Sequence, residues 1–143
     1  MQDKKKHKKS KNKLIIDKYT QDIYPPYNLY VMINHTSEDI TKRFVWDDGV
    51  ELDPVDLDEY QGVTWGLVYN KNDKDKKLSV LVCLNCDTFD DDIDAISTIA
   101  HEAFHVVFRI FKHCNVYLSE DTNEPYAFMT GWATKNIWKT YKK

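Results

Sequence analysis

The sequence is poor in cysteine and has no long apolar run. Three cysteines in 143 residues are too few, and odd in number, for a disulfide scaffold; they fit a reducing interior. No apolar stretch approaches the ~18–20 residues that span a bilayer, so no membrane partner is expected. The opening Met-Gln-Asp-Lys-Lys-Lys has no apolar segment behind it of the kind a secretory leader needs, and the expected location is cytoplasmic. No internal repeat is visible, which speaks against a repeat architecture. The length leaves no room for two full catalytic domains. What is present suffices for one folded unit: 42% hydrophobic and 13% aromatic residues support a packed core and exclude wholesale disorder.

Charge is unevenly divided. The net charge of −3 splits into +6 over residues 1–18 and −9 over the remainder. The basic segment holds Lys4, Lys5, Lys6, Lys8, Lys9, Lys11, Lys13 and Lys18 against Asp3 and Asp17, and residues 4–13 contain no aliphatic or aromatic side chain. Such a segment has nothing to contribute to a core. It reads as a flexible, solvated arm over residues 1–18 in front of a single domain over 19–143. The functional alternative is a contact to nucleic acid or another polyanion through Lys4, Lys5, Lys6, Lys8, Lys9 and Lys11. No aromatic interrupts these lysines, so base stacking is not expected of them.

Residues 27–34 (Tyr-Asn-Leu-Tyr-Val-Met-Ile-Asn) are rich in β-formers and predict a strand. Residues 37–44 predict a short helix capped by Thr36 or Ser37. The acidic stretch 47–61 lacks periodicity and reads as loop. Residues 63–69 and 78–84 are both strand-like and are joined by a polar turn, which predicts a hairpin. Beyond Asp90, Asp91 and Asp92 the period changes to that of a helix, running from Ile93 to Cys114; carboxylates suit its first turn because they complement the helix dipole. A second helix is expected from Glu124 to Tyr141, with Pro125 in the first turn, where a missing N–H costs nothing. Strands followed by helices predict an α+β fold with a short antiparallel or mixed sheet.

The first long helix carries His101-Glu102-Ala-Phe-His105, an H-E-x-x-H pattern. Histidines at i and i+4 share one helix face, so two imidazole nitrogens can converge on one cation. Zinc takes such nitrogens at ~2.0–2.1 Å, and Glu102 beside the pair can reach a water without itself being a ligand. A plain amphipathic helix has the same appearance: Thr98, His101, Glu102, His105, Arg109 and Lys112 form one polar stripe that would also suit solvent. Catalytic zinc wants a third protein ligand. Of Glu120, Asp121 and Glu124, the last follows His105 after eighteen intervening residues, at the start of the second helix, and ranks first. A metzincin would need glycine at Phe108 and histidine at Phe111, and is excluded.

H-E-x-x-H followed by Asn123-Glu124 resembles the gluzincin group of zinc peptidases. Thr98 before the pair and Val107 after it fit that pattern as well. The stretch from Asn123 to Trp132 is similar to short H-E-x-x-H proteins of bacteriophages and mobile elements; the resemblance covers residues 62–139. It implies a small zincin-like fold, zinc held by His101, His105 and Glu124, Glu102 as general base, and a protein or peptide substrate. The chain departs from the larger gluzincins in having Phe128 where they often carry an acidic residue, and in lacking a large C-terminal domain. Tyr117, Tyr126 and His113 are the local candidates for an oxyanion donor. The substrate backbone is expected to pair with a strand edge, at 63–69 or at 78–84. The alternative function is a structural or virion-associated protein on the same scaffold, its metal serving stability and its arm a polyanion.

Two further patterns are read as structural. Cys83 and Cys86 form a C-x-x-C at a strand end, where residues three apart face opposite sides, and a zinc knuckle would need a second pair. Ala127, Gly131 and Thr134 make a small-residue stripe, read as close packing against the first long helix. Trp132, Trp138 and Tyr141 read as core or interface.

Overall fold

The computed structural model describes residues 12–21, 27–53 and 56–143. Among them the chain is α+β, with five strands in one mixed sheet and three α-helices. The elements are β1 (Ile15–Thr20), β2 (Asn28–Ile33), α1 (Ser37–Arg43), β3 (Phe44–Trp46), β4 (Gly62–Asn70), β5 (Ser79–Leu84), α2 (Asp92–His113) and α3 (Asn123–Tyr141). Across the sheet the order is β1-β2-β5-β4-β3, with β2 and β5 parallel and every other neighbouring pair antiparallel.

The two central strands are buried along their whole length, because the sheet is covered on both faces. On one face Leu29, Val31, Val80 and Val82 pack against Ile99, Val106 and Ile110 of α2 and Met129 and Ile137 of α3. On the other, Tyr30, Met32, Leu81 and Cys83 meet Ile40 of α1 together with Phe44, Leu52 and Trp65. A register slip of one residue would exchange these two sets, so burial on both sides pins the alignment. Cys83 belongs to the second cluster and Cys86 packs against the first, so the two thiols sit on opposite sides, as their spacing predicts.

Local chemistry sets the helix starts. Thr36, not Ser37, caps α1: its hydroxyl accepts from the Asp39 amide at 3.2 Å, and the Asp39 carboxylate accepts from the Thr36 amide at 2.8 Å, a reciprocal capping box. The Asp91 carboxylate accepts from the Asp94 amide at 2.8 Å and starts α2. The helices α2 and α3 run antiparallel, since Asp92 accepts from Tyr141 and Lys142 at one end while Phe111 packs on Tyr126, ring centroids 4.6 Å apart, toward the other.

Several expectations are corrected. The arm does not extend to Lys18: β1 starts at Ile15 and pairs with β2, with Ile15 and Tyr19 packed on one core cluster and Leu14 and Ile16 on the other. Asp17 and Lys18 disguise this strand, but Asp17 accepts from Thr140 at 2.7 Å and Lys18 pairs with Asp73 at 2.6 Å. The helix over 37–44 stops at Arg43, and Phe44 opens β3 as a fully buried residue. The small-residue stripe of α3 does not face α2; Ala127 and Gly131 are exposed, and a methyl group on Gly131 would meet nothing within 4 Å. Instead α3 buries Tyr126, Met129, Ala133 and Ile137. Strand 78–84 is no edge, since β5 is paired on both sides. The arm lysines Lys4, Lys5, Lys6, Lys8, Lys9 and Lys11 lie outside the described residues.

Two predictions follow from these placements. Gly131→Ala fills open space in a helix interior and raises stability by about 0.5–1 kcal/mol, read from the urea midpoint. His35 has a buried Nδ1 without a hydrogen-bond partner, and burial pulls its imidazole down to about 4. The unfolded chain therefore takes up this proton more readily than the native one. Stability is complete above the ordinary histidine range and declines as pH falls toward 4. The urea midpoint should drop between neutral pH and mild acid, and the drop should shrink in His35→Gln.

Candidate metal centre

The site is built on how closely α2 lies against β4. Strand residues alternate in facing, so Gly62, Thr64 and Gly66 point toward α2, while Val63 and Trp65 point into the opposite core cluster. A Cβ on Gly62 would stand 2.9 Å from Cγ of Glu102 and 3.0 Å from Cγ2 of Thr98; one on Gly66 would stand 3.0 Å from Cγ of Arg109. Only residues without side chains permit that approach. Between them, the Thr64 hydroxyl donates to Oε2 of Glu102 at 2.5 Å. Glu102 is left only 5% exposed, and its hydrogen bond compensates part of the cost of burying a carboxylate.

His101 and His105 lie on the next strip of the helix surface and are exposed. Their Nε2 atoms are 3.0 Å apart and their rings meet edge to face, centroids 4.8 Å apart. Two nitrogens bound to one tetrahedral zinc at ~2.0–2.1 Å would be separated by ~3.3 Å. The pair is thus close to the spacing of two ligands of one ion. A groove of about 370 Å³ adjoins it, bordered by Glu59, Gln61, Thr98, His101 and Glu102. Gln61 fixes its wall: its amide donates to Asp94 at 3.1 Å, and its carbonyl oxygen accepts from the Thr98 hydroxyl at 2.9 Å.

The remaining candidates lie elsewhere. Glu124 is exposed on the first turn of α3. Because α3 is antiparallel to α2 and Tyr126 sits against Phe111, Glu124 lies still farther toward the C-terminal end of α2, whereas His105 precedes Phe111 by six residues, ~9 Å of helix. The structure does not bring Glu124 to the histidine pair. Among the described residues no three His, Cys, Asp or Glu side chains gather to hold a metal. The pair and Glu102 therefore fit two ligands and a base, with the third ligand unassigned by geometry. Glu120 and Asp121 are exposed in the connection between the helices.

Among the described residues no oxyanion candidate is hydrogen-bonded to the pair. The Tyr126 hydroxyl is spent on the Val116 carbonyl at 2.8 Å, and its phenol is raised by burial. Tyr117 stands in the connection after α2, where its carbonyl accepts from Thr122. His113 meets the Tyr27 hydroxyl at 2.5 Å through Nδ1, two turns beyond His105. Burial, then a hydrogen bond to Cys114, pushes the Tyr27 phenol up to about 12. The thiols nearest the sheet are poor nucleophiles, since burial raises Cys83 well above its ordinary range and Cys86 to about 11.

Sequence reading missed Gln61, Gly62, Thr64 and Gly66. The signal was present in Gly62-Val-Thr-Trp-Gly66, where small residues alternate with large apolar ones, so that one strand face is bare. Compared with known protein families, curated proteins and solved structures, the chain matches none, and the reading of the site rests on its own atoms.

The Thr64–Glu102 bond is testable. Thr64→Val keeps the volume but leaves a buried carboxylate oxygen without its donor, and should lower stability by about 1–3 kcal/mol in urea unfolding. Thr64→Ser should retain most of it.

Proposed function

We propose that the chain is a small zinc-dependent hydrolase of zincin type acting on peptide bonds. His101 and His105 are the nitrogen ligands and Glu102 the general base. The observation that carries this reading is the convergence of the two Nε2 atoms, 3.0 Å apart, beside a carboxylate that borders an open groove. When bound, zinc supplies Lewis acidity toward water and toward a peptide carbonyl. Thr64 holds one oxygen of Glu102, which orients the carboxylate and leaves the other oxygen to take a proton from water and pass it to the leaving amine. Glu59 borders the groove that His101 also lines; it is the candidate for the missing ligand, and it would have to move to join the pair, since no three such groups gather as the chain stands among the described residues.

Substrate backbone has a place to pair. β3 covers β4 only at Val68, Tyr69 and Asn70, and among the described residues no strand pairs with residues 62–66 on that side. A segment added there would run beside the histidines. The three free thiols fit a reducing, cytoplasmic setting, and among the described residues no helix is long and apolar enough to cross a membrane. The basic arm gives a phage-encoded chain a means of meeting nucleic acid or a protein partner.

A second reading is favoured by the burial of Glu102. A carboxylate that is 5% exposed and bonded to the neighbouring strand serves equally as a structural pin, in a virion or scaffold protein without turnover.

Elemental analysis of the purified protein decides between metal and no metal. About one zinc per chain is expected, lost in His101→Ala and Glu59→Gln and retained in Glu102→Gln and Glu124→Gln. Peptide hydrolysis should fall at least ~100-fold in Glu102→Gln with zinc content unchanged. Bound zinc without any hydrolysis supports the structural reading, and a chain that takes up no zinc overturns both metal readings.

A further inference from the structure

The open edge of β4 is short, and one end of it is closed. On the side away from β5, residues 62–66 have no strand beside them among the described residues, but at Leu67 the carbonyl accepts from the Asp47 amide at 3.2 Å, and β3 occupies the edge from Val68 onward. An extended segment laid along this edge therefore comes to a stop at Gly66, after ~16 Å of strand.

Arg109 stands at that closed end. Its stem lies flat over Gly66, with Cγ at 3.0 Å, Cβ at 3.1 Å and Cδ at 3.5 Å from where a Cβ on that glycine would be. The glycine thus holds the arginine against the strand. Arg109 is exposed, shares the polar strip of His101 and His105, and makes no ion pair among the described residues. A guanidinium offers a planar fork of donors that matches a carboxylate. The helix rises ~6 Å from His105 to Arg109, and an extended peptide advances ~3.3 Å per residue. A carboxylate held by Arg109 would thus place the bond beside the histidines one or two residues upstream.

We propose that Arg109 binds the terminal carboxylate of a peptide lying along the open edge of β4, so that the site trims short fragments from peptide C-termini. This rests on the hydrolase reading for its chemistry. In each cleavage an amide C–N bond breaks, water gives its hydroxyl to the new carboxylate, and its proton goes to the amine of the released fragment. Arg109 acts as a specificity residue, selecting ends over chain interiors.

The test separates this proposal from the hydrolase reading by measuring binding without turnover. Two fluorescent, N-acetylated, alanine-rich hexapeptides, identical except for a C-terminal carboxylate or carboxamide, are titrated into the Glu102→Gln protein with and without zinc. The carboxylate peptide should bind about tenfold more tightly. Arg109→Gln in that background should abolish the difference and Arg109→Lys should keep part of it, with circular dichroism unchanged. A carboxylate preference lost in Arg109→Gln supports Arg109 as the carboxylate-binding residue even where zinc is not taken up, in which case the trimming alone falls with the hydrolase reading. Equal binding of the two peptides, no binding of either, or a preference that survives Arg109→Gln overturns it, whatever the zinc content.

Discussion

The contact between α2 and β4 is the constraint on which the rest depends. It exists because Gly62 and Gly66 present no side chains to the helix, and because Thr64 between them meets the one carboxylate that the helix buries. The strand thereby fixes α2 at three points spread over about three turns: Thr98 and Glu102 over Gly62, and Arg109 over Gly66. With that flank held against the sheet, His101 and His105 are turned to the rim of the sheet and not into its core. Any larger residue at these glycines would press on the stems of Glu102 and Arg109 and rotate or lift the helix that carries the histidines.

On the proposed reading, Glu102 has two parts to play. A carboxylate placed in a cleft to move protons has to be oriented, and orientation by a neutral hydroxyl leaves its charge available. Thr64 does this without introducing an opposite charge, unlike the lysine that holds Asp73 and helps lower its carboxyl to about 2. The cost is a carboxylate at the edge of the apolar interior, close enough to Cys83 that its charge adds to burial in suppressing that thiol. The same hydrogen bond is structural support for the sheet and, on the proposed reading, preparation for chemistry, so stability measurements and turnover measurements on one residue report on different things.

The sheet's own irregularity shapes the groove. β3 is three residues long and reaches only the second half of β4; the first half keeps a free edge next to the histidines. An unpaired edge is a hazard for aggregation in general. Here it is short, and Gln61 at its start is tied to Asp94 and Thr98 on α2. The result is an edge with a defined beginning and a defined end, placed beside two exposed imidazoles.

Local sequence chemistry determined much of this protein. The helical period expected over 93–114 and found over 92–113, the aspartates at its start, the strand-like runs that became β2, β4 and β5, and the i, i+4 histidines on one face are all properties of neighbouring residues, and they appear in the structure within a residue or so of where the pattern predicts them. β1 escaped because Asp17 and Lys18 mask a strand whose charges are satisfied by residues far along the chain, Thr140 and Asp73. Glu124 was favoured because a helix start eighteen residues downstream is free, in sequence terms, to return to any point along the first helix. Only the tertiary structure decided where it returns: Tyr126 seats on Phe111, which carries Glu124 to the far end of α2. The bare face of β4, the free edge beside the histidines and the arginine at its closed end are likewise relations between elements distant in sequence. Packing sets those relations, because the side chains that meet across them have no local signature in the chain.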